Sequence, residues 1–256
     1  RPALRRLSRG VSWQRITAAM SRDEIPSFAT GVTIGQGKQA ARSLQDYGAA
    51  VIFVPQAQAN LTIARDARKA GKLWLGSADS PLSPYSDILV RTVLARNRPE
   101  VNPEQELSGC FLAVDLPNER QTRAIVVAVK ENLSMFAMLE LAGKAASQAM
   151  GVAPASIALV DAGLGVGLAT QMMEAGVAAI LAACGPMPTE MQSGPTALAG
   201  VEALSIYSSS LDAPQLLRIQ ASAEGTNLCR YLTATPANAL DNLGYRAWVH
   251  RLAKKE

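Results

Sequence analysis

Residues 156–175 read SIALVDAGLGVGLATQMMEA, a β-branched apolar run, a glycine-rich turn and an amphipathic tail, and this stretch decides how the chain is read. Residues 156–160 predict a buried strand, Gly163, Gly165 and Gly167 a tight turn, and residues 168–175 a helix, because the apolar spacing changes there from continuous to three and four. A strand, a turn and a helix in that order is the unit from which layered α/β domains are assembled. One acid, Asp161, closes the strand; it is the one acid whose position suggests a functional role, and the alternative is a turn or helix cap beside Gly163.

Working outward, similar apolar runs recur at residues 49–54, 72–75, 88–94, 110–116, 124–129, 177–182 and 201–207, and all are predicted strands. Helical spacing appears at 36–47, 61–70 and 133–150, as in Leu133, Phe136, Ala137 and Leu141. The alternation predicts an α/β domain with a sheet covered on both faces. The runs at 88–94, 110–116 and 124–129 follow one another without an intervening helix, so a mixed sheet with an antiparallel portion is expected. The polar, Pro- and Gly-containing stretches 77–87, 97–108 and 185–200 read as loops.

After the last predicted strand comes SSSLDAP, residues 208–214, where Asp212 suits an N-cap and Pro214 the first turn of a helix over 213–232. The organisation expected is a basic segment at 1–34, an α/β domain at 35–208, and at 209–256 a linker helix leading to a further helix at 242–255, capped by Asp241.

Composition removes several function classes. The net charge of +4 owes most to six arginines among the first 22 residues, and the remainder is about neutral without interleaved aromatics, so no nucleic-acid partner is expected. No uninterrupted apolar run reaches the roughly 18–20 residues of a membrane span, so no membrane partner is expected. The longest, from Val177 to Cys184, reads as a buried strand. Three cysteines, Cys110, Cys184 and Cys229, are far apart and lack metal-ligand spacing, which reads as reduced packing thiols in a cytoplasmic protein. The arginine-rich, acid-free start also has the composition of an organellar transit sequence, so a mitochondrial or other organellar location is the alternative. The chain begins at Arg rather than Met, and its true start is expected to lie upstream.

Catalytic chemistry has few candidates. His250 is the only histidine and falls on the terminal helical pattern, which excludes a multi-histidine metal site and points to an exposed helix residue. Asp23/Glu24 and Glu104/Glu106 sit in polar segments without the apolar surroundings that raise a carboxyl pKa. Met172 and Met173 follow helical spacing and belong to the core. The turn at Gly163, Gly165 and Gly167 offers an alternative cofactor site, since its N–H groups at a helix N-terminus can face a phosphate. Its spacing is Gly-x-Gly-x-Gly, however, and about 20 residues on, where a ribose-binding acid belongs, stand Ala182, Ala183 and Cys184. No catalytic and no metal-binding residue is assigned.

A second stretch carries more identity. Residues 224–240, EGTNLCRYLTATPANAL, resemble the segment that opens the catalytic domain in the leucine aminopeptidase (cytosol aminopeptidase) family, a helix Glu-Gly-x-Asn-Leu-x-Arg-x-Leu running into Thr-Pro-x-Asn-x-Leu. Glu224, Gly225, Asn227, Leu228, Arg230, Leu232, Thr235, Pro236, Asn238 and Leu240 match. Tyr231 stands where the family has Asp, Ala234 where it has Asn, and Asp241-Asn242 where it has Thr-Pro.

The resemblance implies a three-layer α/β/α, macro-domain-like mixed sheet followed by a C-terminal helical segment. It also implies a two-metal exopeptidase (zinc or manganese) that releases N-terminal amino acids from peptides in a homo-hexamer. The family's metal and catalytic motifs, Gly-Lys-Gly-x-x-x-Asp-(Ser/Thr)-Gly-Gly and Asn-Thr-(Asp/Glu)-Ala-Glu-Gly-Arg, do not occur in these 256 residues. The expectation is therefore a non-catalytic N-terminal portion serving assembly and access to the active site, with its own catalytic domain as partner. The alternatives are a macro-like module for a nucleotide or ADP-ribose and a degenerate structural subunit. The apolar residues Leu228, Leu232, Leu240, Trp248 and Leu252 of the terminal helix pair are expected to need a partner surface.

Overall fold

The computed structural model describes residues 33–36, 44–57, 85, 88, 92, 109–185, 200–235 and 241–253. Within them a six-stranded sheet runs in the order β1-β6-β5-β2-β4-β3, where β1 is Thr33–Gln36, β2 Ala49–Pro55, β3 Gly109–Asp115, β4 Arg123–Val129, β5 Ser156–Asp161 and β6 Ala203–Tyr207. Every neighbouring pair is parallel except β3 and β4. The chain is thus an α/β protein with a mixed, mostly parallel sheet, as the succession of runs predicts.

Position in the sheet explains each strand's composition. Central β2, flanked by β4 and β5, is AAVIFVP and buried along nearly its whole length, since a parallel strand covered on both faces has no polar side. On one face lie Val51, Phe53, Ile125, Val127, Ile157, Leu159, Leu204 and Ile206, packed under the helices. On the other lie Ala50, Ile52, Val54, Val126 and Val160, packed with Leu44, Tyr47, Tyr85, Leu112 and Leu116.

Four helices are described in full: α1 Met135–Met150, α2 Val166–Cys184, α3 Ala213–Ala234 and α4 Asn242–Leu252. The Ser134 hydroxyl accepts from the Ala137 N–H at 3.2 Å and starts α1. Asp212 and Gln215 form a reciprocal capping box on α3, each accepting at 2.8 Å from the other's backbone N–H. Asp241 caps α4 by accepting from Gly244 N–H at 2.7 Å. α2 packs on the sheet between α1 and α3.

Three sequence expectations are corrected. Residues 177–182, expected as a strand, continue α2 to Cys184. Ala178, Ala179, Ala182 and Ala183 favour a helix, and its buried face, Ala169, Met172, Met173, Gly176, Val177, Ile180 and Leu181, keeps helical spacing. The outward residues are small and apolar too, so no polar stripe marks the period. From Val166 to Cys184, α2 has the length and apolar composition of a membrane-crossing helix, yet it lies against the sheet of the domain.

In the expected strand at 88–94 the two described residues, Ile88 and Thr92, are helical, and the Thr92 hydroxyl donates to the Ile88 carbonyl at 2.8 Å one turn back. Of the expected helix at 36–47, Gln36 ends β1 and Leu44–Asp46 form a 3-10 turn. The runs at 61–70 and 72–75, the loop at 97–108, and nearly all of the loops at 77–87 and 185–200 lie outside the described residues.

Thr122 ties the entry to β4 to the entry to β2. Fully buried, its hydroxyl lies 2.6 Å from the Tyr47 carbonyl and 3.1 Å from that of Leu44, and accepts from Asn118 Nδ2 at 2.8 Å. Thr122→Val keeps the shape but strands those partners, so a loss of about 1–3 kcal/mol is expected in urea unfolding. Thr122→Ser, which keeps the hydroxyl, should lose less.

Candidate functional site

At the carboxyl end of β5 the Asp161 carboxylate turns back on the glycine turn. Oδ1 accepts from the N–H groups of Gly163 at 3.1 Å and Leu164 at 2.9 Å, and Oδ2 accepts from the Ser208 hydroxyl at 3.2 Å. Of the two readings of Asp161, the geometry is that of the turn cap. Gly163 has φ 95°, a conformation that side chains rarely adopt, whereas Gly165 is the N-cap of α2 and Gly167 lies in its first turn. A Cβ on Gly165 or Gly167 would meet nothing, so neither is needed for close packing. A carboxylate already lies on the two N–H groups of this turn, and an incoming phosphate would face it. The Thr170 hydroxyl lies 3.0 Å from the Val166 carbonyl and 3.2 Å from that of Ser210, in the turn between β6 and α3.

The second cluster gathers where α3 crosses the carbonyl end of α2. Leu216, Ile219, Ala223, Asn227 and Tyr231 form the buried stripe of α3, so a polar side chain occupies a core position. Asn227 is 1% exposed, and its Nδ2 donates to the Leu181 carbonyl at 3.1 Å. One turn on, the exposed Arg230 sends Nη1 to the Ala182 carbonyl at 2.6 Å, with Asn227 Oδ1 3.4 Å away. A cation beside a helix C-terminus also offsets the negative end of its dipole. Gly185 follows α2 because a Cβ there would lie 2.4 Å from Asn227 Cγ. The two residues were recognisable as part of a motif, and an asparagine in the spacing 216, 219, 223, 227, 231 was the signal for its structural role.

Between α1, α2 and α3 runs a trough of about 670 Å³, lined by Ala178, Ala179 and Ala182 with Met135 and Leu139 on one side and Arg230 on the other. Arg218 pairs with Glu174 in its lining. On α4, Trp248 stacks on Tyr231 with centroids 5.8 Å apart and 16° between planes, while Leu243, Tyr245 and Val249 are exposed.

The remaining candidates separate. Met172 and Met173 are fully buried, and His250 is exposed on α4. Asp23, Glu24, Glu104 and Glu106 lie outside the described residues. The described residues bring no three His, Cys, Asp or Glu side chains together.

Cys110 and Cys184 are half-buried, but Cys229 is exposed on α3, which corrects the expectation that all three thiols pack. Burial raises the Cys184 pKa to about 11, and it raises that of Cys110 against the opposing pull of Lys144. At pH 8 a pKa near 11 leaves about one thiolate in a thousand. Alkylation with iodoacetamide is therefore expected to mark Cys229 first and Cys184 slowly, read by peptide mass; equal rates would contradict the burial.

The fold is similar to that of a mutant of tomato leucine aminopeptidase. The TM-score is 0.54 and the identity 18%, over 84% of this chain and 40% of that one. At that identity the match shows a likeness of fold alone, and this chain spans two fifths of the length of that structure. No protein-family model and no curated protein matches the sequence.

Proposed function

We propose that this chain is the N-terminal, non-catalytic portion of a leucine-aminopeptidase-like two-metal exopeptidase. The observation that carries the reading is the combination of this fold likeness with the motif read at residues 224–240, whose first part, Glu224 to Ala234, lies on α3.

In this reading the sandwich is a platform for assembly, with a homo-hexamer as the whole, and it shapes access of peptides to active sites on the catalytic domain. Two zinc or manganese ions belong to that domain. The family's ligand motifs are not in the sequence, so no hydrolytic step is assigned to these residues. The reduced thiols of the reading go with a cytoplasmic location.

The direct test is the transcript. Reading beyond codon 256 should reveal the lysine- and carboxylate-bearing metal motifs in frame, and a stop codon immediately after Glu256 would overturn the proposal. Independently, the purified 256-residue chain should release no leucine from leucinamide with zinc or manganese present. Metal-dependent turnover that co-purifies with the chain and vanishes in an unrelated control preparation would defeat the non-catalytic role.

A further inference from the structure

We infer that Asn227 and Arg230 form a latch that holds the arm made by the end of α3 and by α4 at a fixed angle to the sandwich. The latch grips the last carbonyls of α2. Its contacts all lie within this chain, so it does not depend on the aminopeptidase reading.

A helix C-terminus leaves several carbonyls without intrahelical donors, and water or local side chains ordinarily satisfy them. Here α2 has no basic residue in its last turn, and the chain leaves it at Gly185 in an extended conformation with ψ 142°. The donors come instead from another helix. Asn227 reaches Leu181 from inside the core and Arg230 reaches Ala182 from the surface, so adjacent carbonyls are held from two directions. The Gly185 N–H adds a longer bond to Ala182 at 3.4 Å.

Two directional bonds to a rigid helix end fix both rotation and slide of α3, which an apolar stripe alone leaves adjustable. Gly185 is the keyhole: with a Cβ 2.4 Å from Asn227 Cγ, any side chain there would expel the amide. The next residue of the stripe, Tyr231, carries the constraint onward through its stack on Trp248. The exposed Leu243, Tyr245 and Val249 of α4 are thereby presented in one orientation.

This assigns the matched Asn and Arg of the 224–240 segment a mechanical role. They are positioning residues, and a role limited to capping α2 predicts something different from a latch. The test uses the full 256-residue chain with Trp13→Phe and Trp74→Phe, leaving Trp248 as the sole indole. Arg230→Met removes the donor from an exposed side chain, so folding should survive. Asn227→Leu removes the buried one, and Arg218→Met, in the α3 ion pair with Glu174, is the control.

For a latch, Arg230→Met should shift Trp248 emission to the red. It should also speed amide exchange about tenfold over residues 228–234 and in α4, with sheet amides unchanged. Asn227→Leu, if it folds, should do more. Trp248 emission and α4 exchange unmoved in Arg230→Met, with changes confined to the last turn of α2, would reduce the pair to a cap and overturn the inference. Equal effects from Arg218→Met would overturn it too.

Discussion

Phe53→Ala should cost about 3–5 kcal/mol, the range for emptying a fully enclosed aromatic site. Phe53 is 0% exposed on β2, the strand that binds β4 on one side and β5 on the other, and its ring faces α2. Neighbours on both strands and the helix are held by their own hydrogen bonds and cannot collapse into the space. The measurement is urea unfolding of the whole chain, followed by far-ultraviolet circular dichroism. Phe136→Ala removes the same side chain from a site 77% exposed on α1 and should stay within about 0.5 kcal/mol. Equal losses from the two would contradict this placement of the core.

Gly176→Val should also destabilise strongly, by about 1–3 kcal/mol or more, because overpacking a closed contact forces neighbours off their rotamers. A Cβ at 176 would lie 3.0 Å from Leu159 Cδ2 and 3.1 Å from Phe53 Cε2, both side chains of the sheet. Gly176→Ala sets a helix-propensity gain of about 1 kcal/mol against that crowding and should come out near neutral. Valine adds two methyls and gains less propensity, so crowding wins. Combining Gly176→Val with Leu159→Val, which withdraws the Cδ atoms, should be less destabilising than the sum of the two changes. Strict additivity would mean that the residues do not touch.

Much of the fold was legible because burial is written into composition where a strand has two covered faces. The runs at 49–54, 110–116, 124–129, 156–160 and 201–207 all became strands, within a residue or two at their ends. The helix start at Asp212 was equally local, since its side chain meets an N–H three residues on, whereas the helix expected from Leu133 begins two residues later, after the Ser134 cap. Reading failed where local preference and apolar run pointed different ways. From Val177 to Cys184 every residue is apolar, so period 2 and period 3.6 look alike.

The site divides in the same manner. The turn-cap reading of Asp161 was open to the sequence because its partners are two and three residues away. Asn227 and Arg230 could be picked out as a motif, but their acceptors lie 46 and 48 residues back, a distance that no local pattern spans.

From residues alone came the α/β class, the mixed sheet, the caps and the aminopeptidase-like segment, all set by interactions within a turn or by the apolar content of single runs. The strand order, the helical nature of α2 beyond Gly176 and the grip of α3 on α2 came only from tertiary structure. Those features depend on which distant surfaces meet, and packing decides that after the local preferences have been satisfied.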